Sequence, residues 1–300
     1  MHAHLYKTSF NLAEYLADVA VQALLDEVNL SPKPALVDQR GCGAHDDLNL
    51  QLMEASAHSL SPMFKLMAEA GQEHGVICQA LREHIGVLGR QGEQQMLNIT
   101  QGINTHRGAI WSMGLMVTAA SITYWQPEHL TVLGLCQTAG QIACLEDRFL
   151  PKATLSHGQK VREKFGVHGA KQHAQQGFPV ITQYGFPQLL CSRQNGIPEK
   201  FAQLDALLSM MAHISDTCVI HRAGLSGLKC MQIGAQQVLD LGGSATFAGR
   251  QRLKQLETDL LVMRASAGGA ADLLATLLFL DRVQQQKSIM KIRDKSNGNT

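Results

Sequence analysis

An all-α fold in a single compact multi-helix domain is predicted for this chain by three observations. Apolar residues recur at helical spacing in every long segment, and convincing alternating strands are missing. No linker, charge block, low-complexity tract or repeat divides the 300 residues. The 45% apolar share suits a globular protein with a real core.

The elements follow in order. Leu12, Leu16, Val19 and Ala23 fall on one face of a first helix. It must end before Ser31-Pro32-Lys33-Pro34, because two prolines so close cannot continue it. Residues 35–49, small and polar, read as an ordered loop. Ser61-Pro62 reads as a helix start, serine as N-cap and proline at the first helical position. Helical patterns then cover about 62–74, 76–97, 108–122, 128–149 and 156–165. After a broken, glycine-containing stretch near 166–196 they resume at about 198–220, 225–240, 247–265 and 269–285. Pro198-Glu199 makes a first turn, and Pro179 to Tyr184, the best β-like candidate, is left as helix or loop. Residues 1–290 are assigned to the domain and 291–300 to a polar, frayed tail.

Composition narrows the function. With 26 basic and 25 acidic residues no global field recruits nucleic acid or an anionic membrane, so an anionic ligand needs a local site. Seven scattered cysteines without a C-x-x-C spacing argue against a disulfide framework and a structural zinc site. The N-terminus lacks the basic stretch and apolar run of a secretory signal, which points to the cytoplasm. The stretch between Arg107 and Glu128 is uncharged, but Ser112, Thr118, Ser121, Thr123 and Gln126 dilute it; it reads as a core helix, not a membrane span.

No phosphate loop, G-x-G-x-x-G or H-E-x-x-H motif is present. Four polar clusters stand out instead. The first holds Lys33 and Asp38 on a prolyl-rigid turn, followed by His45, Asp46 and Asp47; a solvated loop is its plainer reading. The second runs Gly102-Ile103-Asn104-Thr105-His106-Arg107-Gly108 before the uncharged helix, where Asn104 or Thr105 can cap and free N–H groups can face an anion beside Arg107. The third is Asp216-Thr217 with His221-Arg222, which could equally be an internal ion pair. The fourth, Ser266-Ala267-Gly268-Gly269-Ala270-Ala271-Asp272, opens an apolar helix with paired glycines that suit a phosphate or merely tight packing.

Together and in this order the clusters resemble the triphosphoribosyl-dephospho-CoA synthase family. Its E-V-x-x-S-P-K-P-G-L-V-D segment is matched from Glu27 to Asp38 with Ala35 for glycine, and its G-A-H-x-D from Gly43 to Asp47. N-T-H-K-G is similar to Asn104–Gly108 with Arg107 for lysine, and D-T-N with a following arginine to Asp216-Thr217-Cys218 and Arg222. G-G-S-A-D-L-L is similar to Gly268–Leu274 with Ala270 for serine, so the likeness spans about residues 12 to 281. One departure is Gly169-Ala170-Lys171-Gln172-His173-Ala174, where many members have G-A-R-G-E-A; this variant looks like the branch serving malonate decarboxylase.

The resemblance implies a transferase that joins ATP to 3′-dephospho-CoA with loss of adenine. Its product is the prosthetic-group precursor that a separate transferase attaches to an acyl carrier protein. It further implies Asp38 and Asp47 as catalytic carboxylates, and Asp216 and Asp272 as ligands of a Mg²⁺ ion that accompanies the triphosphate. Lys33, Asn104, Thr105, His106, Arg107, Arg222, Gly268 and Gly269 are implied in substrate binding. Two rival readings are an HD-type metal-dependent phosphohydrolase, suggested by His45-Asp46, and a non-catalytic assembly factor.

Overall fold

The computed structural model describes residues 10–126, 128–150 and 157–297. The residues before Phe10, on which the targeting expectation rests, and 298–300 of the polar tail lie outside the described residues. Every regular element among the described residues is helical. The order is α1 (Leu12–Asn29), α2 (Leu50–Ser59), α3 (Ser61–His74), α4 (Gln79–Ile99), α5 (Arg107–Thr123), α6 (Val132–Cys144) and α7 (His157–Phe165). It continues with α8 (Ala170–Gln175), a π-helical turn (Ile181–Gly185), α9 (Phe186–Gln194), α10 (Glu199–His213), α11 (Thr217–Asp240), α12 (Phe247–Val262) and α13 (Gly268–Asn297). The expected all-α fold is what forms.

The uncharged helix α5 sits at the centre, against α1, α3, α4, α6 and α13. Met113, Met116, Val117 and Ala120 on it are buried all round, as a helix without a polar face must be. Its hydroxyls do not obstruct burial, because they turn back onto the helix's own carbonyls. Thr118 donates to Gly114 at 2.9 Å and Thr123 to Ala119 at 2.8 Å. Among the described residues no helix is long and apolar enough to cross a membrane.

Several boundaries differ from the sequence expectation for physical reasons. Helix α2 was not expected; it buries only Ser56 and Ala57, so it carries no apolar stripe, and its start is fixed by Asn49 accepting from Leu52 N at 2.9 Å. Leu60 rather than Ser61 occupies the N-cap of α3, so α2 and α3 follow one another almost without a break. Helix α6 is shorter than the pattern over 128–149, being capped by Thr131 and followed by an extended Leu145. The pattern over 198–220 is divided at 214–216, where Ile214 is extended and Asp216 caps α11 by accepting from Cys218 N and Val219 N. Within α11, Gly224 adopts φ 65° and ψ −167°, a left-handed departure that kinks the helix where the sequence pattern lapses. The stretch 179–184 is helical and π-helical, and α13 continues through the polar residues to Asn297.

Candidate active site

The loop between α1 and α2 is built around Asp38. Its carboxylate accepts from Ser31 Oγ at 3.0 Å, Lys33 N at 2.9 Å, Arg40 N at 2.7 Å and Arg40 Nε at 2.9 Å. These donors hold the group below the usual carboxylate range, although burial alone would raise it. With its lone pairs so occupied, Asp38 fixes the loop that carries Lys33.

Lys33 is turned inward. Its ammonium, 1% exposed, donates to the Glu27 carboxylate at 2.5 Å and to the Glu27 carbonyl at 2.6 Å. Burial pushes the Glu27 carboxyl up, and the Lys33 charge opposes the rise. His106, which opens α5, is also buried and close enough to Lys33 to feel its charge. Its Nδ1 meets Ser56 Oγ at 2.7 Å, Ser56 Oγ meets Thr105 Oγ1 at 2.6 Å, and its Nε2 has no partner.

Two carboxylates meet two helix starts beside this pair. Asp216 accepts from Cys218 N at 2.8 Å and Val219 N at 3.2 Å with one oxygen, and from Ala270 N at 3.0 Å with the other. It therefore ties the start of α13 to the start of α11, and Gly269 permits the approach: a Cβ there would lie 3.0 Å from Asp216 Oδ2. Asp272, one turn into α13, receives the backbone N–H of Ala109 in the first turn of α5. Gly108 makes room for it, since a Cβ at that position would fall 2.0 Å from Asp272 Oδ2. Desolvation first, then the charges of Glu27 and Asp216, raise the Asp272 carboxyl well above its ordinary range. The helix N-termini expected to face phosphates are thus partly taken by the protein's own carboxylates.

The remaining candidates form a rim. His45 donates from Nε2 to Ser266 Oγ at 2.7 Å, because its Nδ1 accepts from Arg222 at 3.0 Å. That tautomer is wrong for a base acting on Ser266. Burial and the neighbouring Arg222 hold His45 below its ordinary pKa. Arg222 also donates to Ala44 O at 3.2 Å. Asp47, 59% exposed, lies 3.7 Å from His45 Nδ1, whereas Asp46, 84% exposed, faces Arg264. Asn104 is exposed and accepts from Arg107 N at 3.2 Å, and Arg107 pairs with Glu93. Gly268 packs near Cys218.

Lys33, His106, Asp216 and Asp272 thus form one buried acidic cluster with Glu27, and His45, Arg222 and Asp47 stand together beside Ser266. Sequence reasoning did not single out Glu27, Ser56 or Ser266 as site residues. Glu27 was nonetheless visible as the first residue of its motif, and Ser266 as the start of the paired-glycine cluster. Ser56 gave no signal, lying in the helix that was not expected.

Among the described residues no group of three His, Cys, Asp or Glu side chains is arranged to hold a metal. Asp216 has both oxygens engaged by N–H donors. A cage made by protein alone does not fit, while a cation carried in on a triphosphate and touched by Asp272 does. The HD-type reading fares worse, because His45 and Asp46 engage different partners, Ser266 and Arg264.

One pH dependence follows. Burial, then the nearby Lys33 charge, push His106 down to about 4 from 6.5. The unfolded chain gains this proton as pH falls below about 6.5 and the folded chain does not, so stability present above that pH is lost toward pH 4. The effect is on the order of 3 kcal/mol. The raised carboxylates Glu27, Asp216 and Asp272 have the opposite slope, so the comparison is with a His106→Gln variant. Urea unfolding at pH 7 and pH 4.5 should show a shallower acid loss in the variant; parallel losses would remove the histidine from the account.

This all-helical frame, with its buried carboxylates, lysine and helix starts, is that of a transferase, as the chain's relatives show. The CitG family model, ATP:dephospho-CoA triphosphoribosyl transferase, matches residues 13–290, and the chain belongs to this family. A protein of Azotobacter vinelandii named "Probable 2-(5''-triphosphoribosyl)-3'-dephosphocoenzyme-A synthase" is 55% identical over 274 residues, 91% of this chain and 93% of that relative. Proteins of the same name from Stutzerimonas stutzeri and Pseudomonas fluorescens (strain Pf-5) are each 53% identical, the former over 94% of this chain and 96% of its own length. The latter covers 96% of this chain and 98% of its own length. No solved structure matches.

Proposed function

We propose that the protein transfers the triphosphoribosyl group of ATP to the ribose 2′-hydroxyl of 3′-dephospho-CoA and releases adenine. The observation that carries this reading is the family match over residues 13–290. The acidic cluster supports it, since breaking the N-glycosidic bond develops oxocarbenium-like charge that nearby carboxylates stabilise. The bond from the anomeric carbon to the adenine nitrogen breaks, and a bond to the acceptor oxygen forms. The acceptor's proton goes to a carboxylate, for which Asp47 on the rim is our candidate. Adenine takes up one proton from solvent as it leaves, and Asp47 returns its own to solvent after the transfer. Asp38 and Asp216, their oxygens taken by loop and helix donors, position the loop and the start of α13. Mg²⁺ bound with the triphosphate would neutralise its charge, held by phosphate oxygens and Asp272. Arg107 and Arg222 are our candidates to meet the substrate's phosphates.

The Lys171-Gln172-His173 variant supports a role in making the prosthetic group of a malonate decarboxylase acyl carrier protein, attached by a separate transferase in the cytoplasm. His173 itself holds local structure. Its Nε2 accepts from Val180 N at 3.2 Å, its ring meets Phe178, and burial pushes it down to about 4.

Incubation of the purified protein with ATP, Mg²⁺ and dephospho-CoA tests the reading. Free adenine in step with a triphosphoribosylated product is expected. Inorganic phosphate alone would favour a hydrolase, and no product would favour the assembly factor. Deleting the gene should leave the carrier unmodified until the product is supplied. Asp47→Asn should slow adenine release at least about a hundredfold, while Asp46→Asn should be much milder. Equal losses at both positions would reduce Asp47 to a general electrostatic contribution.

A further inference from the structure

A cavity of about 610 Å³ opens between α4, α5 and α8, and its wall includes Arg107 and Thr217. These residues are next in sequence to Gly108 and Asp216 of the buried acidic cluster described above. Most of its lining is apolar, from Met67, Ile85, Ile110, Leu115 and Leu150.

Two buried donors in its wall lack partners. Arg82 is only 7% exposed, yet its Nε has no hydrogen-bond acceptor. The guanidinium lies over the Trp111 ring, 5.4 Å from the centroid, and the indole Nε1 is likewise buried without an acceptor. Arg90 reaches Asp147 at 2.5 Å, and Arg82 stays 3.7 Å from the same carboxylate. Asp147 thus serves two guanidiniums, and the Arg82 and Trp111 donors stay unsatisfied in a low-dielectric wall, which costs stability unless a ligand brings acceptors. Lys171 and Gln172, from the segment that departs from the family pattern, also line the cavity.

We infer that this cavity is the acceptor subsite, with the diphosphate of dephospho-CoA on Arg82 and Arg90 and its pantetheine arm along the apolar wall; the assignment rests on the synthase reading. Both substrates carry adenosine and phosphates, and the long arm of amides and methylenes is what dephospho-CoA alone possesses. An arm of that kind suits walls that are apolar with isolated donors: its amide carbonyls and phosphate oxygens are acceptors for the Trp111 and Arg82 N–H groups. A triphosphate, having no such arm, offers nothing to the apolar part of the wall.

The test is calorimetric titration of the full-length protein with dephospho-CoA and with ATP separately. Two variants are used, Arg82→Met and Gly89→Leu. At Gly89 a Cβ meets Met67 and Ile110 at ordinary contact distances of 3.4 and 3.9 Å, so a longer side chain must extend into the cavity space. Each variant should weaken dephospho-CoA at least about tenfold and leave ATP within about twofold. Pantetheine 4′-phosphate should displace dephospho-CoA but not ATP. Weakened ATP with unchanged dephospho-CoA, equal weakening of both, or no change in either overturns the assignment. If Arg82→Met does not fold, Gly89→Leu and the displacement experiment decide. Wild-type protein that binds dephospho-CoA in this manner but yields no adenine would defeat the synthase reading and leave the subsite standing.

Discussion

Asp272→Asn should fold at least as well as the wild-type chain while losing triphosphoribosyl transfer by a factor of about 10² to 10³. The two halves of this expectation have one cause. Charging Asp272 is disfavoured by burial and by Glu27 and Asp216, so its carboxyl is raised well above the ordinary range. A carboxyl whose charged form is so disfavoured in the fold costs native-state stability at neutral pH relative to the unfolded chain. Asparagine keeps the shape and can still accept the Ala109 N–H, but removes the charge. Thermal unfolding and adenine release, measured on the same preparation, check both halves. A variant that is less stable and fully active would make Asp272 a structural cap of α5 and nothing more.

Lys33→Met should be the most destabilising of the substitutions considered, at about 3–5 kcal/mol. It strands the Glu27 carboxylate, 4% exposed as a residue, without its counter-charge and beside Asp272. The double variant Glu27→Gln, Lys33→Met removes both charges and should recover most of that loss, as replacing a whole buried pair commonly does. Urea unfolding of the two singles and the double gives the coupling directly. Additive losses would mean that the 2.5 Å contact contributes little of its own.

Much of the fold was legible because the helices that form the core carry apolar stripes or, in α5, no charge beyond Arg107 at its start. What could not be read had weak or local signals. Helix α2 buries serine and alanine, and the break before α11 depends on a single capping aspartate that a hydrophobic pattern does not register. The site was legible as a set of clusters but not as an arrangement. Lys33 and Asp38 read as charges offered to a ligand, whereas the structure engages one with Glu27 and the other with its own loop. Both pairings lie within seven residues of chain, and they follow from the path of an irregular turn that no helix or strand spacing rule contains. One departure from the family pattern acquires a physical meaning: Ala35 sits at φ 57°, where an L side chain is strained and the glycine of the resembled motif is not.

The kink at Gly224 divides α11 into two rods that share a name but not a load. The short rod, 217–223, is anchored by Asp216 at its head and presents Arg222 to the rim. The long rod beyond the kink packs against α12, where Gly234 admits Leu256. Because the hydrogen-bond ladder is interrupted between them, a shift of the long rod against α12 is absorbed at the joint instead of being levered onto the capping aspartate. The joint at Gly224 thus separates the packing of the outer scaffold from the geometry around Asp216.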